Sequence, residues 1–335
     1  MQNSTAVETP LSVEFEGVRD LRLRSRDQRP PVDDEMLIEV TAVGVCGTDL
    51  SQWRDAEGPT PPRTVIGHEF GGRILELGPQ AHGWSIGQFV AIDPNITCED
   101  CEKCAQGLRA LCAQRRLLGR ELDGGMRTHL TISSRQAVGL PDGVDPRAVA
   151  LVEPVAVGVH AVGRSGIGPG DRVGVIGGGA IGAACARVAV EIGANPVLIE
   201  PDADRRDRLR VEGFEAYGGA AEDRSTWDAV IDTVGITATV DAASDHVVRG
   251  STICIVGLAH GSPLPPAENL VRRELTLRGS FCYTTDELKT AADIVGAHGL
   301  AALPVDTVDG FADAPTTIAE LAVGGLRAGK TVFLP

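Results

Sequence analysis

A glycine-rich turn between an apolar strand and a helix constrains the fold of this chain more than any other feature. The turn reads Val175-Ile-Gly-Gly-Gly-Ala-Ile-Gly182, and Gly177, Gly179 and Gly182 have the spacing G-x-G-x-x-G. The first glycine allows a tight turn, the second lets a pyrophosphate approach the backbone, and the third lets the helix pack on the strand. Phosphates would lie over the helix N-terminus, where free N–H groups favour anions. The turn therefore predicts a dinucleotide-binding domain.

The segments around this turn alternate between short β-branched strands and helices, which predicts a parallel sheet with right-handed crossovers. The predicted strands are Val173–Ile176, Pro196–Ile199, Ala229–Asp232, Thr252–Gly257 and Glu274–Phe281. The predicted helices are Asp145–Gly163, Ala180–Ile192, Arg205–Glu212 and Ala238–Val248. The fold class is therefore α/β, with a doubly wound Rossmann sheet.

The first ~145 residues have a different character, with short apolar runs punctuated by glycine and proline and little room for a long helix. Strands are predicted at Met36–Val45, Val65–Leu77 and Gln88–Ile92. In the tail, Thr285–His298 reads as a helix and Thr331–Leu334 as a strand, but periodicity does not assign the tail a role. This pattern predicts a β-rich domain before the Rossmann domain.

Glu200 bears on the choice of dinucleotide. It ends the strand after the glycine-rich turn, close to the spacing expected for a carboxylate that binds the adenosine ribose. A carboxylate repels a 2′-phosphate, so NAD is favoured over NADP, although Arg205 and Arg206 could instead bind that phosphate or form a solvated helix start. The positions predicted to contact the cofactor are Gly177, Gly179, Ala180, Ile181, Gly182, Glu200 and Arg205.

Four cysteines, Cys98, Cys101, Cys104 and Cys112, lie within fifteen positions. In a long chain such a cluster indicates metal binding better than a disulfide framework. Four thiolates form a closed tetrahedral site, which is typical of structural zinc. An iron–sulfur cluster also takes four cysteines, but the usual cluster spacings do not match. The cluster predicts one structural zinc that stabilises the fold of its lobe.

Three further candidate ligands lie far apart in the sequence. Cys46 is in Gly-Val-Cys-Gly-Thr-Asp-Leu, His68 in Gly-His-Glu-Phe and Glu153 in Leu-Val-Glu-Pro. Each has an ordinary structural interpretation: a packed cysteine, a histidine that caps a turn, or a glutamate that begins a helix. Taken singly, none of the three indicates a site.

Together with the turn and the cysteine cluster, these residues make the chain resemble the zinc-containing medium-chain dehydrogenases, in particular the polyol (sorbitol, galactitol) and threonine dehydrogenase branch. The resemblance runs through nearly the whole chain. The matching segments, in order, are Gly44–Asp49, Gly67–Glu69, Asp93–Cys98, the four-cysteine lobe, Asp123–Gly125, Glu153–His160, the glycine-rich turn and Arg278–Ser280.

The resemblance implies a GroES-like catalytic domain over 1–150 with the zinc lobe at 93–120, an NAD-binding domain over 151–285, and a return to the catalytic domain over 286–335.

The resemblance also implies that Cys46 and His68 bind a catalytic zinc, with Glu69 and Glu153 filling the remaining positions directly or through water. Zinc with three protein ligands keeps a position for a substrate oxygen and lowers the pKa of the hydroxyl, so that hydride can pass to the nicotinamide. Thr48 resembles the hydroxyl that relays the proton.

The chain departs from the pattern at two positions. Many relatives have a histidine where this chain has Ser51, so the proton would pass from Thr48 through water or Ser51, and threonine is disfavoured as a substrate. Sorbitol dehydrogenases commonly have an arginine where this chain has Cys282, and a thiol cannot replace its hydrogen bonds. This departure disfavours sorbitol and favours a less polar secondary alcohol or a cyclic polyol.

Charge and composition exclude several other classes of function. The formal charge is −15, from 31 basic and 46 acidic residues, which would repel a nucleic acid. The sequence lacks a basic run, an apolar run of roughly 18 residues and a secretory signal over residues 1–10, so we expect no membrane partner and a cytoplasmic location. The expected partner is a small alcohol or ketone, and relatives suggest a homodimer or homotetramer.

The sequence thus predicts a zinc-dependent enzyme that oxidises a secondary alcohol or polyol to the ketone with NAD. Two alternatives are a zinc-free NADPH-dependent quinone or enone reductase on the same scaffold and a catalytically silent NAD-binding regulatory protein. The ligand set at Cys46 and His68 argues against both, because neither alternative needs it.

Overall fold

The strands before residue 140 build the β-rich part of the molecule. The computed structural model describes residues 10–55, 60–258, 265, 267–324 and 329–335. The strands are β1 (Leu11–Gly17), β2 (Asp20–Ser25), β3 (Glu35–Gly44), β4 (Thr64–Val65), β5 (Glu69–Leu77), β6 (Phe89–Ile92), β7 (Asn95–Ile96), β8 (Arg116–Leu117), β9 (His129–Ser133) and β10 (Ala137–Gly139). The helices are α1 (Gly47–Asp55) and α2 (Glu102–Ala105).

The second group of elements forms a doubly wound parallel sheet. Its strands are β11 (Arg172–Ile176), β12 (Asn195–Ile199), β13 (Glu215–Tyr217), β14 (Trp227–Asp232), β15 (Val247–Ile255) and β16 (Thr276–Gly279). Its helices are α3 (Val152–Ser165), α4 (Ala180–Glu191), α5 (Ala203–Val211), α6 (Thr237–His246), α7 (Ala267–Arg273) and α8 (Thr285–His298). The strand order β13-β12-β11-β14-β15-β16, with parallel pairing throughout, confirms the predicted Rossmann sheet.

The last part of the chain returns to the first sheet. It contains β17 (Val305–Asp309), α9 (Ala314–Ala322) and β18 (Lys330–Leu334). β18 pairs with β3, with Val332 opposite Gly44, and β17 lies beside β18. The resulting sheet has the order β10-β6-β5-β3-β18-β17, and β9 also pairs with β3. The end of the chain is thereby placed next to the segment that follows β3.

One of the three buried hydrophobic clusters spans both sheets. Ala42 of β3, Val155 of α3 and Val175 of β11 belong to the same buried cluster. Of the described helical stretches, Pro146–Ser165 has the length and apolarity to cross a membrane, but it packs as a core helix and 67% of its apolar window is buried. Burial of most of its surface explains why so much of its sequence is apolar.

Two predicted elements are divided in the structure. The strand predicted over Val65–Leu77 is interrupted between β4 and β5, because Gly67 has a φ of 88°, outside the conformation of a strand. The helix predicted over Asp145–Gly163 begins as a 3₁₀ helix, Pro146–Leu151, and becomes α-helical from Val152. In both cases the break places a candidate ligand, His68 or Glu153, at the junction.

Candidate active site and metal centres

Strand register brings the distant candidate ligands Cys46, His68 and Glu69 together. β3 and β5 pair with Gly44 opposite Glu69, so the residues just after β3 lie beside those at the start of β5. Ligand atoms of Cys46, His68 and Glu69 all lie within 4.8 Å of one another. A thiolate, an imidazole and a carboxylate at this separation form the donor set of a zinc site.

Asp49 supports two of these ligands. Its Oδ2 accepts a hydrogen bond of 2.8 Å from the backbone N–H of Cys46, and its Oδ1 lies 3.3 Å from Nδ1 of His68. The carboxylate is buried, with 2% of the residue exposed. Because Nδ1 faces Asp49, Nε2 is the nitrogen left for a metal, the arrangement by which outer carboxylates orient metal-binding histidines. This role of Asp49 was not predicted from the sequence.

The His68 ring is in a strongly anionic environment. Burial alone would lower its pKa, but the charges of Asp49 and Cys46 outweigh burial and raise the pKa of His68 well above its ordinary value. These same negative charges would stabilise a bound cation.

Glu69 is paired with a lysine from the other end of the chain. Its carboxylate contacts Nζ of Lys330, the first residue of β18, and both side chains are almost fully buried. Burial would lower the pKa of Lys330, but the charges of Glu69 and Cys46 raise it. Lys330 therefore carries a positive charge next to the proposed ligands, and no sequence motif predicted this position.

Glu153 lies near this group but outside it. It belongs to the first turn of α3, and desolvation together with the charge of Glu69 raises its pKa to about 7. The buried side chain of Tyr283 neighbours this carboxyl group. The three mutually close ligand atoms belong to Cys46, His68 and Glu69, and Glu153 is not among them.

The two predicted relay residues lie in different places. Oγ1 of Thr48 lies 3.8 Å from Sγ of Cys46, so its hydroxyl is beside the candidate metal ligands. Ser51 lies one helical turn further along α1 and lines a separate pocket with Arg54 and Leu321 of α9. The structure therefore brings Thr48 to the site, whereas Ser51 lines the pocket next to α9.

The four clustered cysteines come together in the lobe around α2. The Sγ atoms of Cys101 and Cys104 are 3.5 Å apart, those of Cys98 and Cys112 are 3.5 Å apart, and those of Cys98 and Cys104 are 3.9 Å apart. Tetrahedral zinc with bonds of about 2.3 Å holds sulfur atoms roughly 3.8 Å apart. Hydrogen bonds from backbone N–H groups lower the pKa of Cys112 to about 7, whereas burial raises the pKa of Cys104, so a bound cation would be needed to hold all four groups as thiolates.

A cavity of about 670 Å³ joins the ligand group to the glycine-rich turn. Cys46, Glu69 and Lys330 line one side, and the turn 177–182 lines the other. A Cβ atom on Gly182 would lie 1.8 Å from the carbonyl oxygen of Gly177, so the third glycine is required for the helix to approach the turn. Ala180, Ile181, Glu200 and Arg205 also line this cavity.

The Glu200 carboxylate is already hydrogen-bonded on its protein side. It accepts bonds of 2.8 Å from the N–H of Gly178 and 2.9 Å from the N–H of Asp202. Nη1 of Arg205 lies 3.1 Å from Glu200, whereas Arg206 donates to the backbone oxygen of Glu200. Both arginines are therefore engaged with the segment that follows β12.

Comparisons with known proteins agree with this geometry. Two family models match: "Alcohol dehydrogenase GroES-like domain" over residues 32–142 and "Zinc-binding dehydrogenase" over residues 180–297. The L-galactonate-5-dehydrogenase of Escherichia coli is 32% identical over 280 residues, which cover 80% of this chain and 82% of the relative. The sorbitol dehydrogenase of Bacillus subtilis is 28% identical over 296 residues, which cover 82% and 81%.

A solved structure shows the same fold over its whole length. A protein described as a zinc-binding dehydrogenase from Sinorhizobium meliloti, bound to NADP, superposes with a TM-score of 0.88 at 29% sequence identity. The match covers 97% of this chain and 99% of that one. The chain therefore belongs to the zinc-dependent medium-chain dehydrogenases, on their polyol dehydrogenase branch, and is an NAD(P)-dependent oxidoreductase that acts on CH–OH groups.

Proposed function

We propose that this chain oxidises a secondary alcohol of a polyol or sugar acid to the ketone, with NAD as the hydride acceptor. The observation that carries the proposal is the shared cavity, in which Cys46 and Glu69 face the glycine-rich turn. The alcohol would lie between the ligand group and the nicotinamide. The names of the two relatives supply the substrate classes, since one is a sugar-acid dehydrogenase and the other a polyol dehydrogenase.

Cys46, His68 and Glu69 would hold the catalytic zinc, since their ligand atoms are mutually close, and Glu153 would act through water. When bound, the zinc supplies a Lewis acid that lowers the pKa of the substrate hydroxyl. Asp49 fixes the ring of His68, and the Thr48 hydroxyl is placed to accept the proton that leaves the substrate. Ser51 lines the pocket next to α9, so we propose that water, and not Ser51, takes the proton from Thr48.

Cys98, Cys101, Cys104 and Cys112 would hold a second, structural zinc. A closed set of four thiolates leaves no position for substrate, so this metal would stabilise the lobe and take no part in the chemistry. This assignment rests on the mutual distances of the sulfur atoms.

The preference for NAD rests on Glu200. Its carboxylate lines the cofactor cavity, Arg205 is paired with it, and Arg206 donates to the backbone oxygens of Glu200 and Pro201, so a 2′-phosphate would meet a carboxylate whose neighbouring arginines are already engaged. We therefore expect kcat/KM with NAD to exceed that with NADP by at least about tenfold, or about 1.4 kcal/mol.

Three further assignments stay predictions. We place the domain limits near residues 150 and 285, expect a homodimer or homotetramer, and expect the protein in the cytoplasm. The position of β17 and β18 in the first sheet supports a return of the chain to the catalytic domain.

The test is a substrate screen with purified, zinc-loaded protein. NADH absorbance would be followed with a panel of polyols, sugar acids and secondary alcohols, each with NAD and with NADP. We expect NADH formation with at least one sugar acid or polyol and its loss after zinc is chelated. Enone or quinone reduction by the zinc-free protein with NADPH, or NAD binding without turnover of any alcohol, would contradict the proposal.

A further inference from the structure

The turn that ends at His68 is not held by strand pairing. Residues 66–68 lie between β4 and β5 and belong to neither strand. Gly67 has a φ of 88°, and a Cβ atom there would lie 2.9 Å from Cγ1 of Val43. The position of this turn, and of the imidazole that follows it, therefore depends on the part of the protein that packs against it.

The segment 119–126 packs along this turn through main-chain hydrogen bonds. The N–H groups of residues 124–126 donate to the carbonyl oxygens of residues 65–67, the three residues that precede His68. The bonds run from Gly124 to Val65 at 2.7 Å, from Met126 to Ile66 at 2.9 Å and from Gly125 to Gly67 at 2.8 Å. A displacement of the segment would therefore displace the turn.

The contact between the segment and the turn is too close for side chains. A Cβ atom on Gly124 would lie 2.1 Å from the carbonyl oxygen of Gly67, and one on Gly119 would lie 2.7 Å from the carbonyl carbon of Gly67. Both distances are well below the van der Waals separation. Backbone atoms cannot rotate away as a flexible side chain can, so a methyl group added here would push the turn.

Asp123 fastens the segment to the strand before the turn. Its Oδ1 accepts a hydrogen bond of 3.0 Å from the backbone N–H of Val65, and its carboxylate forms an ion pair with Arg26 of the segment after β2. Asp123 is partly exposed and is not among the candidate ligands of either metal site. Its influence on His68 therefore passes through the turn and not through direct contact.

We propose that Asp123 and Gly124 are positioning residues for the catalytic metal, because they hold the turn that presents His68. Outer residues that orient a metal ligand typically contribute a factor of roughly 10 to 100 in metal affinity. The inference rests on the proposed function, since the metal concerned is the proposed catalytic zinc. It gives a role to the segment Asp123–Gly125, for which the resemblance to the family implied none.

The experiment measures how tightly each variant holds zinc and needs no turnover. Zinc-loaded, full-length protein would be titrated with a competing chelator, and the zinc that stays on the chain would be measured after each addition. We expect two steps of zinc loss from the wild type, and the step that is missing in C46S belongs to the catalytic site. Circular dichroism before the titration checks that each variant is folded.

Two variants disturb the turn in different ways. D123A removes the acceptor of the Val65 N–H group, whereas G124A adds a methyl group against the carbonyl oxygen of Gly67. D123N keeps a side-chain oxygen that can accept the bond from Val65, so it tests rescue by a conservative change.

Each variant has a matched control. D34A is the control for D123A, because Asp34 is also partly exposed, pairs with Arg135 and accepts a hydrogen bond from Ser133, but lies at the opposite end of β3 from the site. G163A is the control for G124A, because a Cβ atom at this exposed position of α3 meets no other part of the protein within 4 Å.

D123A and G124A should each weaken the catalytic step by roughly 10- to 100-fold and leave the step of the cysteine lobe within about threefold of wild type. D123N should restore most of the affinity that D123A loses, and D34A and G163A should match wild type at both steps. A general loss of stability would weaken both steps together, so a selective loss identifies positioning of the catalytic ligand.

A folded D123A or G124A whose catalytic step is unchanged, or whose two steps weaken equally, would overturn the assignment. Failure of both variants to fold would also overturn it, because the contact would then serve the fold as a whole. A selective loss in a protein that oxidises no alcohol supports the positioning role and contradicts the proposed function alone. A wild-type protein without the step that C46S removes would contradict both.

Discussion

The residues at the centre of the site differ in how readily they can be identified from the sequence. Cys46 and His68 lie in short motifs, so a resemblance to a family was enough to propose them as ligands. Lys330 is 261 positions away from its partner Glu69, and only the pairing of β18 with β3 brings the two together. Asp49 did lie in a motif, but its contact with His68 depends on the position of β5, which sequence does not give.

The buried pair of Lys330 and Glu69 gives a prediction for the K330M variant. Removing the ammonium group leaves Glu69 buried without a partner, so the free energy of unfolding of the metal-free protein should fall by about 3–5 kcal/mol. K330R keeps the positive charge, so its free energy of unfolding should fall by less than that of K330M. Urea unfolding of both variants, each after zinc removal, measures the effect. Equal stability of K330M and wild type would show that Glu69 needs no counterion.

At the scale of elements, the regular part of the chain was the most predictable. The alternation of strand and helix indicated the parallel sheet, because each strand and helix there has its own apolar periodicity. The 3-residue β13, together with β17 and α9, was not predicted. β13 is too short for a pattern, and β17 is half exposed, so its sequence lacks a clear alternation. The order of strands in the first sheet depends on long-range pairing and could not be predicted from the sequence.

Asp223 anchors the start of β14 and gives a pH-dependent prediction. Its carboxylate accepts hydrogen bonds from Nε1 of Trp227, at 2.8 Å, and from Ser225, and it is paired with Arg172. Burial alone would raise its pKa, but these partners outweigh burial and lower the pKa of Asp223 to about 2. A lowered pKa stabilises the folded state above the unfolded value of about 4, and the contribution is lost as pH falls towards 2.

The D223N variant should therefore be less stable than wild type by about 2 kcal/mol near pH 6, and the difference should shrink as pH falls below 4. Urea unfolding, followed by tryptophan fluorescence near pH 6 and again below pH 4, measures this difference in stability. D286N, at an exposed position in α8, is the matched control and should differ from wild type by less than about 0.5 kcal/mol. A difference between D223N and wild type that is constant or grows as pH falls would contradict this account.

At the scale of the whole molecule, the site is made by elements that are distant in sequence. The segment after β3 and the start of β5 with the residue before it supply the proposed ligands, β18 supplies the buried cation, and the turn before α4 lines the same cavity. The glycine-rich turn was predicted from a local motif, and the ligand group was predicted from the resemblance to the family. That the halves face each other depends on the shared core around α3, which no local pattern reveals.

Zinc content tests the central claim most directly. The wild-type protein should bind two zinc ions per chain, because the two ligand groups are separate, and C46S should bind one and lose alcohol oxidation. Metal analysis of both proteins, with NADH formation measured on the same samples, gives the result. A C46S variant that keeps two zinc ions and the wild-type rate would contradict the assignment of Cys46 and, with it, the proposed catalytic centre.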